Sequence, residues 1–236
     1  MEQTELFTPE KGHIGTDESG KGDYFGPLVV AGFFLPDGQA EVLTELGVKD
    51  CKKLSDRRVL GLAAELKKGY IFSVVAIGPE RYNDLYDRLR NLNRLLAWGH
   101  ARAIENILEK VNCQEALTDQ FGDEKFVRQA LLKKGKKINL IQKTQAETDV
   151  AVAAASILAR AEFLWRLREL SLQVGLELPK GASPQVEETG SQLVKKCGPD
   201  ILGKIAKYHF KTTGRILKTA GLSAELIPDE PEGKKP

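Results

Sequence analysis

The sequence has no long apolar run. Its longest, Leu28 to Leu35 and Val150 to Ala159, fall well short of the ~20 residues that a bilayer-spanning helix needs, so no membrane partner is expected. The opening residues, Met1 to Lys11, are polar and acidic and lack the apolar core of a secretory signal, which makes the cytoplasm the expected location. Cysteine is scarce. The three present, Cys51, Cys113 and Cys197, form no C-x-x-C pair, and an odd, scattered set argues against a disulfide framework. Histidine is equally rare, and His13, His100 and His209 do not stand at zinc-ligand spacing. An excess of one charge is also missing: 35 Lys and Arg against 33 Asp and Glu leave +2. Global charge therefore neither demands nor excludes a polyanionic partner.

What is present is the balance of an ordinary globular chain, 42% hydrophobic and 29% charged over 236 residues. The runs His13 to Glu18, Leu28 to Leu35, Tyr70 to Ile77, Glu115 to Asp119 and Ile138 to Gln142 read as strands. Helical spacing covers Ser55 to Lys67, with Ser55 as N-cap. It returns over Asn93 to Val111, Phe126 to Lys133 and the alanine-rich stretch from Val150 to Leu172. Two hairpin-like strands followed by alternating strands and helices predict an α/β fold with a mixed sheet flanked by helices. Leu176 to Gly221 reads as a helical extension with breaks at Pro179, Pro184, Gly198-Pro199 and Gly214. The last residues, PDEPEGKKP, lack apolar content and are expected to be disordered.

Acidic residues collect where this pattern puts strand ends: Asp17-Glu18, Asp119, and Glu147 and Asp149 just before the long helix. Ligand-binding residues gather at strand ends of open α/β sheets. Carboxylates converging there repel one another unless a cation neutralises them, and oxygen-only donors select Mg2+ or Mn2+ over zinc. Two such ions about 4 Å apart would activate a water and stabilise the leaving oxygen of a phosphodiester. The plainer alternative is that each acid caps a helix or faces water, since turns favour Asp; spacing leaves both open. The segment from Gly15 to Gly22 also contains G-x-x-x-x-G-K, but the next residue is Gly22 where a phosphate-binding loop needs Ser or Thr. Asp17 and Glu18 would point acid at the phosphates, and an NTPase is rejected.

The continuous run Gly15-Thr-Asp-Glu-Ser-Gly-Lys-Gly-Asp-Tyr-Phe-Gly-Pro-Leu28 resembles the signature of the type 2 ribonucleases H, and within them the ribonuclease HIII branch. Three further segments resemble the same family in the same order: Gly47-Val-Lys-Asp-Cys-Lys-Lys-Leu-Ser55, Thr118-Asp-Gln-Phe121 and Val152-Ala-Ala-Ala-Ser-Ile-Leu-Ala-Arg160. Leu178-Pro-Lys-Gly181 and Tyr208-His-Phe210 are weaker echoes. The resemblance implies a ribonuclease H-like fold and endonucleolytic cleavage of the RNA strand of RNA–DNA hybrids, leaving a 5′-phosphate and a 3′-hydroxyl. It implies a catalytic core over 13–175, a helical extension of the same domain over 176–226, a short segment over 1–12 and a tail over 227–236.

Carried over residue by residue, the resemblance assigns Asp17, Glu18 and Asp119 to the metal, Mg2+ or Mn2+. For a fourth catalytic acid it favours Glu147, in the context Gln145-Ala146-Glu147, with Asp149 as the alternative. Gly20, Lys21 and Gly22 match the loop that reads the substrate, where glycine backbone can approach the ribose and its 2′-hydroxyl. Lys52 and Lys53 are expected to meet phosphates. The run Lys133-Lys134-Gly135-Lys136-Lys137 is expected to be a solvated loop. Ribonuclease HIII usually carries a further N-terminal substrate-binding domain, whereas about a dozen residues precede the motif here. Either a short form or a truncated chain is expected, acting as a monomer. Tyr208 is a weak counterpart of the tyrosine with which ribonuclease HII meets a single ribonucleotide, so runs of ribonucleotides are the expected substrate. The competing readings are a non-catalytic nucleic-acid-binding module of the same fold and a related nuclease for other structures, such as single embedded ribonucleotides.

Overall fold

The computed structural model describes residues 11–49, 51–119 and 124–222. In chain order the elements are β1 (Gly12–Ser19), β2 (Leu28–Pro36), α1 (Ala40–Leu46), α2 (Asp56–Gly69), β3 (Phe72–Ile77), α3 (Pro79–Leu89), α4 (Leu92–Leu108), β4 (Glu115–Asp119), α5 (Glu124–Ala130), β5 (Asn139–Lys143), α6 (Val150–Val174), α7 (Pro184–Cys197), α8 (Ile201–Ile205) and α9 (Lys211–Thr219). Single 3-10 turns lie at Cys51–Lys53, Gly135–Lys137 and Ala146–Thr148. The expected tail (227–236), residues 1–10 and the Gln120-Phe121 part of one motif lie outside the described residues. Among the described residues no helix is long and apolar enough to cross a membrane.

Five strands form one mixed sheet in the order β3-β2-β1-β4-β5. β1 pairs with β4 and β4 with β5, both in parallel. The expected strands and the helices α2, α4, α5 and α6 are all present, with ends that shift by a few residues. Ser55 caps α2 as expected, its hydroxyl accepting the amide of Arg58 at 3.3 Å. The sequence reading leaves α1 and α3 unassigned. α1 is short and exposes Val42 and Leu46, so it has no clean apolar stripe. In α3, Pro79 occupies the first helical turn, where its missing N–H is harmless. The expected break at Gly214 falls inside α9.

The chain divides into two compact units. The first runs to Glu18 and includes Val30–Val75 and Asn93–Ala161. Its core forms because successive strand residues face opposite sides of the sheet. Ile14 and Ala116, paired across β1 and β4, pack with Ala97, Ala101, Ile104 and Ile107 of α4. The next pair, Gly15 and Leu117, turns the other way, toward Val152 and Ala151 at the start of α6. The small residues of α6 let it lie directly on β1: a Cβ at Gly15 would stand 2.3 Å from the Ala151 carbonyl carbon and the Val152 nitrogen. On the opposite face Gly99 does the same for α4, where a Cβ would come within 2.7 Å of Val30. The buried carboxylate of Glu105 accepts the amides of Leu132 and Gly135, at 2.6 and 2.9 Å, and so folds the lysine-rich turn after α5.

The second unit comprises Ser19–Val29, Ala76–Leu92 and the chain from Glu162. Its helices pack through contacts such as Gly190 of α7 under Ile216 of α9. The Asn83 side chain of α3 donates to the carbonyls of Gly203 and Ala206 and accepts the amide of Tyr208. Tyr82, Tyr86 and His209 stack, with 3.8 Å between the Tyr86 and His209 ring centres.

Candidate active site

Parallel pairing sets the first geometric relation among the acids. Thr16 lies opposite Thr118, so the next residue on each strand, Asp17 on β1 and Asp119 on β4, emerges at the same edge of the sheet. Glu18 follows Asp17 and, by strand alternation, faces the α4 side, where its Oε2 lies 3.3 Å from Nε2 of His100. Burial pushes the Asp17 carboxyl up to about 8; the charges of Glu18 and Asp119 add to the rise, against the amide of Glu18, which donates to Asp17 Oδ1 at 2.8 Å, and the charge of Lys52. A recessed carboxylate whose nearest charges are of its own sign is a place where a cation binds favourably.

Asp119 is fixed from a second direction. Its Oδ1 accepts the amide of Ala146 at 3.2 Å, and Ala146 opens the 3-10 turn that carries Glu147. Gln145 enters that turn with φ of 56°, a left-handed conformation uncommon outside glycine. Asp119 and Glu147 are thereby coupled through one backbone segment. Asp149, two residues on, is held differently. Its Oδ1 accepts the amides of Ala151 and Val152 at 2.9 and 3.2 Å, which caps α6. Both of its oxygens also lie 3.0 Å from Nε2 of His13. Burial raises the Asp149 carboxyl, but the His13 bond, the His13 charge and the two amides outweigh it and the net shift is downward.

Lys52 and Lys53 sit exposed on the 3-10 turn Cys51–Lys53, and Lys52 is near enough to Asp17 to counter its raised affinity for a proton. Arg160 of α6 holds the start of the following helix through Asp56, Nη2 to Oδ1 at 2.7 Å.

Gly20, Lys21 and Gly22 belong to the second unit. Gly20 has φ of 87°, and a Cβ there would stand 2.2 Å from the Pro27 carbonyl oxygen and 2.9 Å from the Phe163 ring. Only glycine fits. Gly22 has open space above it, with nothing within 4 Å of where a Cβ would be. The loop that follows is clamped from inside by Lys207, whose Nζ donates to the carbonyls of Asp23 and Gly26 at 2.8 and 2.9 Å. Burial lowers this ammonium to about 7, partly opposed by Asp23. Asp23 Oδ1 accepts the Gly181 amide at 2.6 Å, and Tyr24 bonds Thr213.

The structure brings Asp17 and Asp119 to adjacent strand ends and joins the Glu147 turn to Asp119; sequence reasoning does not anticipate the contacts of His13, His100 and Lys207. A polar residue set in an apolar helical face, as His100 is in α4, was the available signal for one of them. No group of three or more His, Cys, Asp or Glu side chains closes into a ready-made metal cage among the described residues. The fit to a hard divalent cation rests on donor chemistry instead. The donors are carboxylate oxygens on adjacent strand ends, with like charges facing one another.

A family model described as ribonuclease HII matches residues 14–213. The chain is 47% identical over 209 residues to ribonuclease HIII of Protochlamydia amoebophila, covering 89% of this chain and 69% of that protein. It is 41% identical over 210 residues to ribonuclease HIII of Chlamydia felis, covering 88% and 70%. Among solved structures, Bst-RNase HIII in complex with Mn2+ superposes with a TM-score of 0.83 at 31% identity, covering 90% of this chain and 71% of that one. Aquifex aeolicus RNase H3 gives 0.69 at 34% identity, covering 84% and 72%. A sheet with acids at adjacent strand ends, a glycine loop straight after them and these matches across most of the chain lead to one assignment: the chain belongs to the ribonuclease HII family and is an endoribonuclease of the ribonuclease H type.

Proposed function

We propose that the chain cuts the RNA strand of RNA–DNA hybrids by hydrolysis with two divalent ions, Mg2+ or Mn2+, leaving a 5′-phosphate and a 3′-hydroxyl. The observation that carries this is the emergence of Asp17 and Asp119 side by side on β1 and β4, with Glu18 next to one and the Glu147 turn bonded to the other. Asp17, Glu18 and Asp119 would hold the metal, and Glu147 completes the acidic set. Asp149 is the weaker candidate, because its oxygens already serve the α6 amides and His13. When bound, the ions activate the attacking water and neutralise charge on the leaving oxygen.

The protein's own groups do the rest. Lys52 and Lys53 meet backbone phosphates, which positions the duplex without reading sequence. The open space over Gly22 admits close approach of a ribose, and its 2′-hydroxyl distinguishes RNA from DNA. The reading includes a preference for runs of ribonucleotides and action as a cytoplasmic monomer.

A panel of labelled hybrid, duplex DNA, duplex RNA and a duplex with one embedded ribonucleotide tests this with either metal. Cutting of the hybrid first, at several positions within the RNA, is the expected result. Binding of hybrid without cutting would point to a non-catalytic module, and preference for the single ribonucleotide to a different specificity.

A further inference from the structure

His100 has no exposed surface and lies on α4, a helix whose buried residues, Gly99 and Glu105 apart, are otherwise leucine, alanine and isoleucine. Gly99 beside it lets the helix approach β2 closely enough to carry the imidazole into the sheet face. There Nδ1 lies 2.8 Å from Thr16 Oγ1 and 3.3 Å from Thr118 Oγ1. These two threonines are fully buried cross-strand partners, one residue before Asp17 and Asp119. Thr118 donates its hydroxyl proton to the carbonyl of Asp119, which leaves Thr16 as the donor to Nδ1. The other ring nitrogen, Nε2, faces Glu18 Oε2 at 3.3 Å. A carboxylate oxygen can only accept, so the tautomer that favours this contact carries its proton on Nε2. The separation exceeds that of a strong charged hydrogen bond, so the contact is a close approach and not a formed hydrogen bond. A buried imidazole with three polar groups around it in a leucine-rich helix is costly unless those contacts are kept.

We propose that His100 is a positioning residue for the metal centre. It orients Glu18 toward the cation and, through the hydrogen bond that Nδ1 accepts from Thr16, fixes α4 against the strand that presents Asp17 and Glu18. The proposal rests on the reading of these acids as metal ligands. Hydrogen-bonded partners of ligating groups set ligand orientation, and losing one costs about 10- to 100-fold in metal affinity or activity.

The test compares two replacements in the full chain. His100→Asn keeps a polar atom near the position of Nδ1 and cannot reach Glu18; His100→Gln places an amide N–H near the position of Nε2. Mn2+ affinity is read by titration with electron paramagnetic resonance, alongside kcat and KM for the hybrid. The expected result for His100→Asn is a loss of Mn2+ affinity of about 10- to 100-fold, with kcat falling at unchanged KM, and His100→Gln restores most of both. If Asn does not support folding, Gln against Met makes the same contrast, Met having the reach of Gln without the donor. Wild-type Mn2+ affinity in His100→Asn overturns the proposal. So does equal weakness of Gln and its donor-free counterpart, which would reduce His100 to packing. A wild-type chain that binds no Mn2+ overturns the ligand reading and this proposal together, whereas failure of the proposal alone leaves wild-type binding intact.

Discussion

Both carboxylate oxygens of Asp149 lie 3.0 Å from the same nitrogen of His13, and one of them also caps α6. This occupation separates Asp149 from Glu147 although the two are only two residues apart. Asp149→Ala is expected to lower stability by about 1–2 kcal/mol, the usual loss for an N-cap with a charged partner, while hybrid cleavage stays within a few-fold of wild type. Glu147→Gln should leave the unfolding midpoint in place and slow cleavage by about 10²-fold or more, roughly 3 kcal/mol of transition-state stabilisation. Denaturant unfolding and initial rates on one labelled hybrid measure both. The reverse pattern would transfer the catalytic role to Asp149.

The same pair has a pH signature. His13 is raised above its ordinary value by the Asp149 hydrogen bond, with burial opposing, so its contribution is complete below the unfolded histidine value and fades as pH rises through the folded one. Asp149 is lowered on balance, so its contribution is present above the unfolded aspartate value and fades as pH falls through the folded one. The pair therefore stabilises most between about pH 4 and pH 6.5. The gap in urea midpoint between wild type and His13→Asn should be widest in that window and shrink toward pH 8. A gap that grows with pH would contradict the pairing.

Asp17 has the opposite linkage. Its folded-state value lies near 8, chiefly through burial. Ionising it therefore works against the metal-free fold, and the cost accumulates as pH rises from about 4 to 8. Metal-free Asp17→Asn is expected to be more stable than metal-free wild type at pH 8, by about 1 kcal/mol or more. Mn2+ should raise the melting temperature of wild type far more than that of the variant, since only a state that binds the ligand gains from it. Equal Mn2+ shifts in the two proteins would remove Asp17 from the metal site.

Gly15 tests how the site is built. A side chain there meets backbone atoms of Ala151 and Val152 at 2.3 Å, and neither can swing aside. Gly15→Ala is expected to destabilise by about 1–3 kcal/mol, the usual cost of overpacking, and to lower activity by shifting β1 against α6. Full stability and activity in this variant would mean that α6 does not depend on that approach.

Much of this was legible in the sequence, for reasons visible in particular residues. The strands β1 and β4 are short runs that end in acid, and the Gly20 turn is marked by two glycines within three residues. Ser55 marks the start of α2 because its hydroxyl has one obvious task. The partners of the acids were not legible, because they are distant in sequence: His13 and Asp149 are 136 residues apart, and Thr16 and His100 are 84 apart. Lys207 escaped notice because a lysine in a loop reads as a surface residue. Here it is fully buried, its charge satisfied by two carbonyls that no local pattern foretells.

The most direct test of the account is cleavage of a labelled RNA–DNA hybrid by wild type and Asp17→Asn, with Mg2+ or Mn2+ and with a chelator. Metal-dependent cutting of the RNA strand by wild type, absent with the chelator and absent in Asp17→Asn, is the predicted result. A wild-type chain that leaves the hybrid intact with both metals, or an Asp17→Asn variant that cuts as fast as wild type, would contradict it.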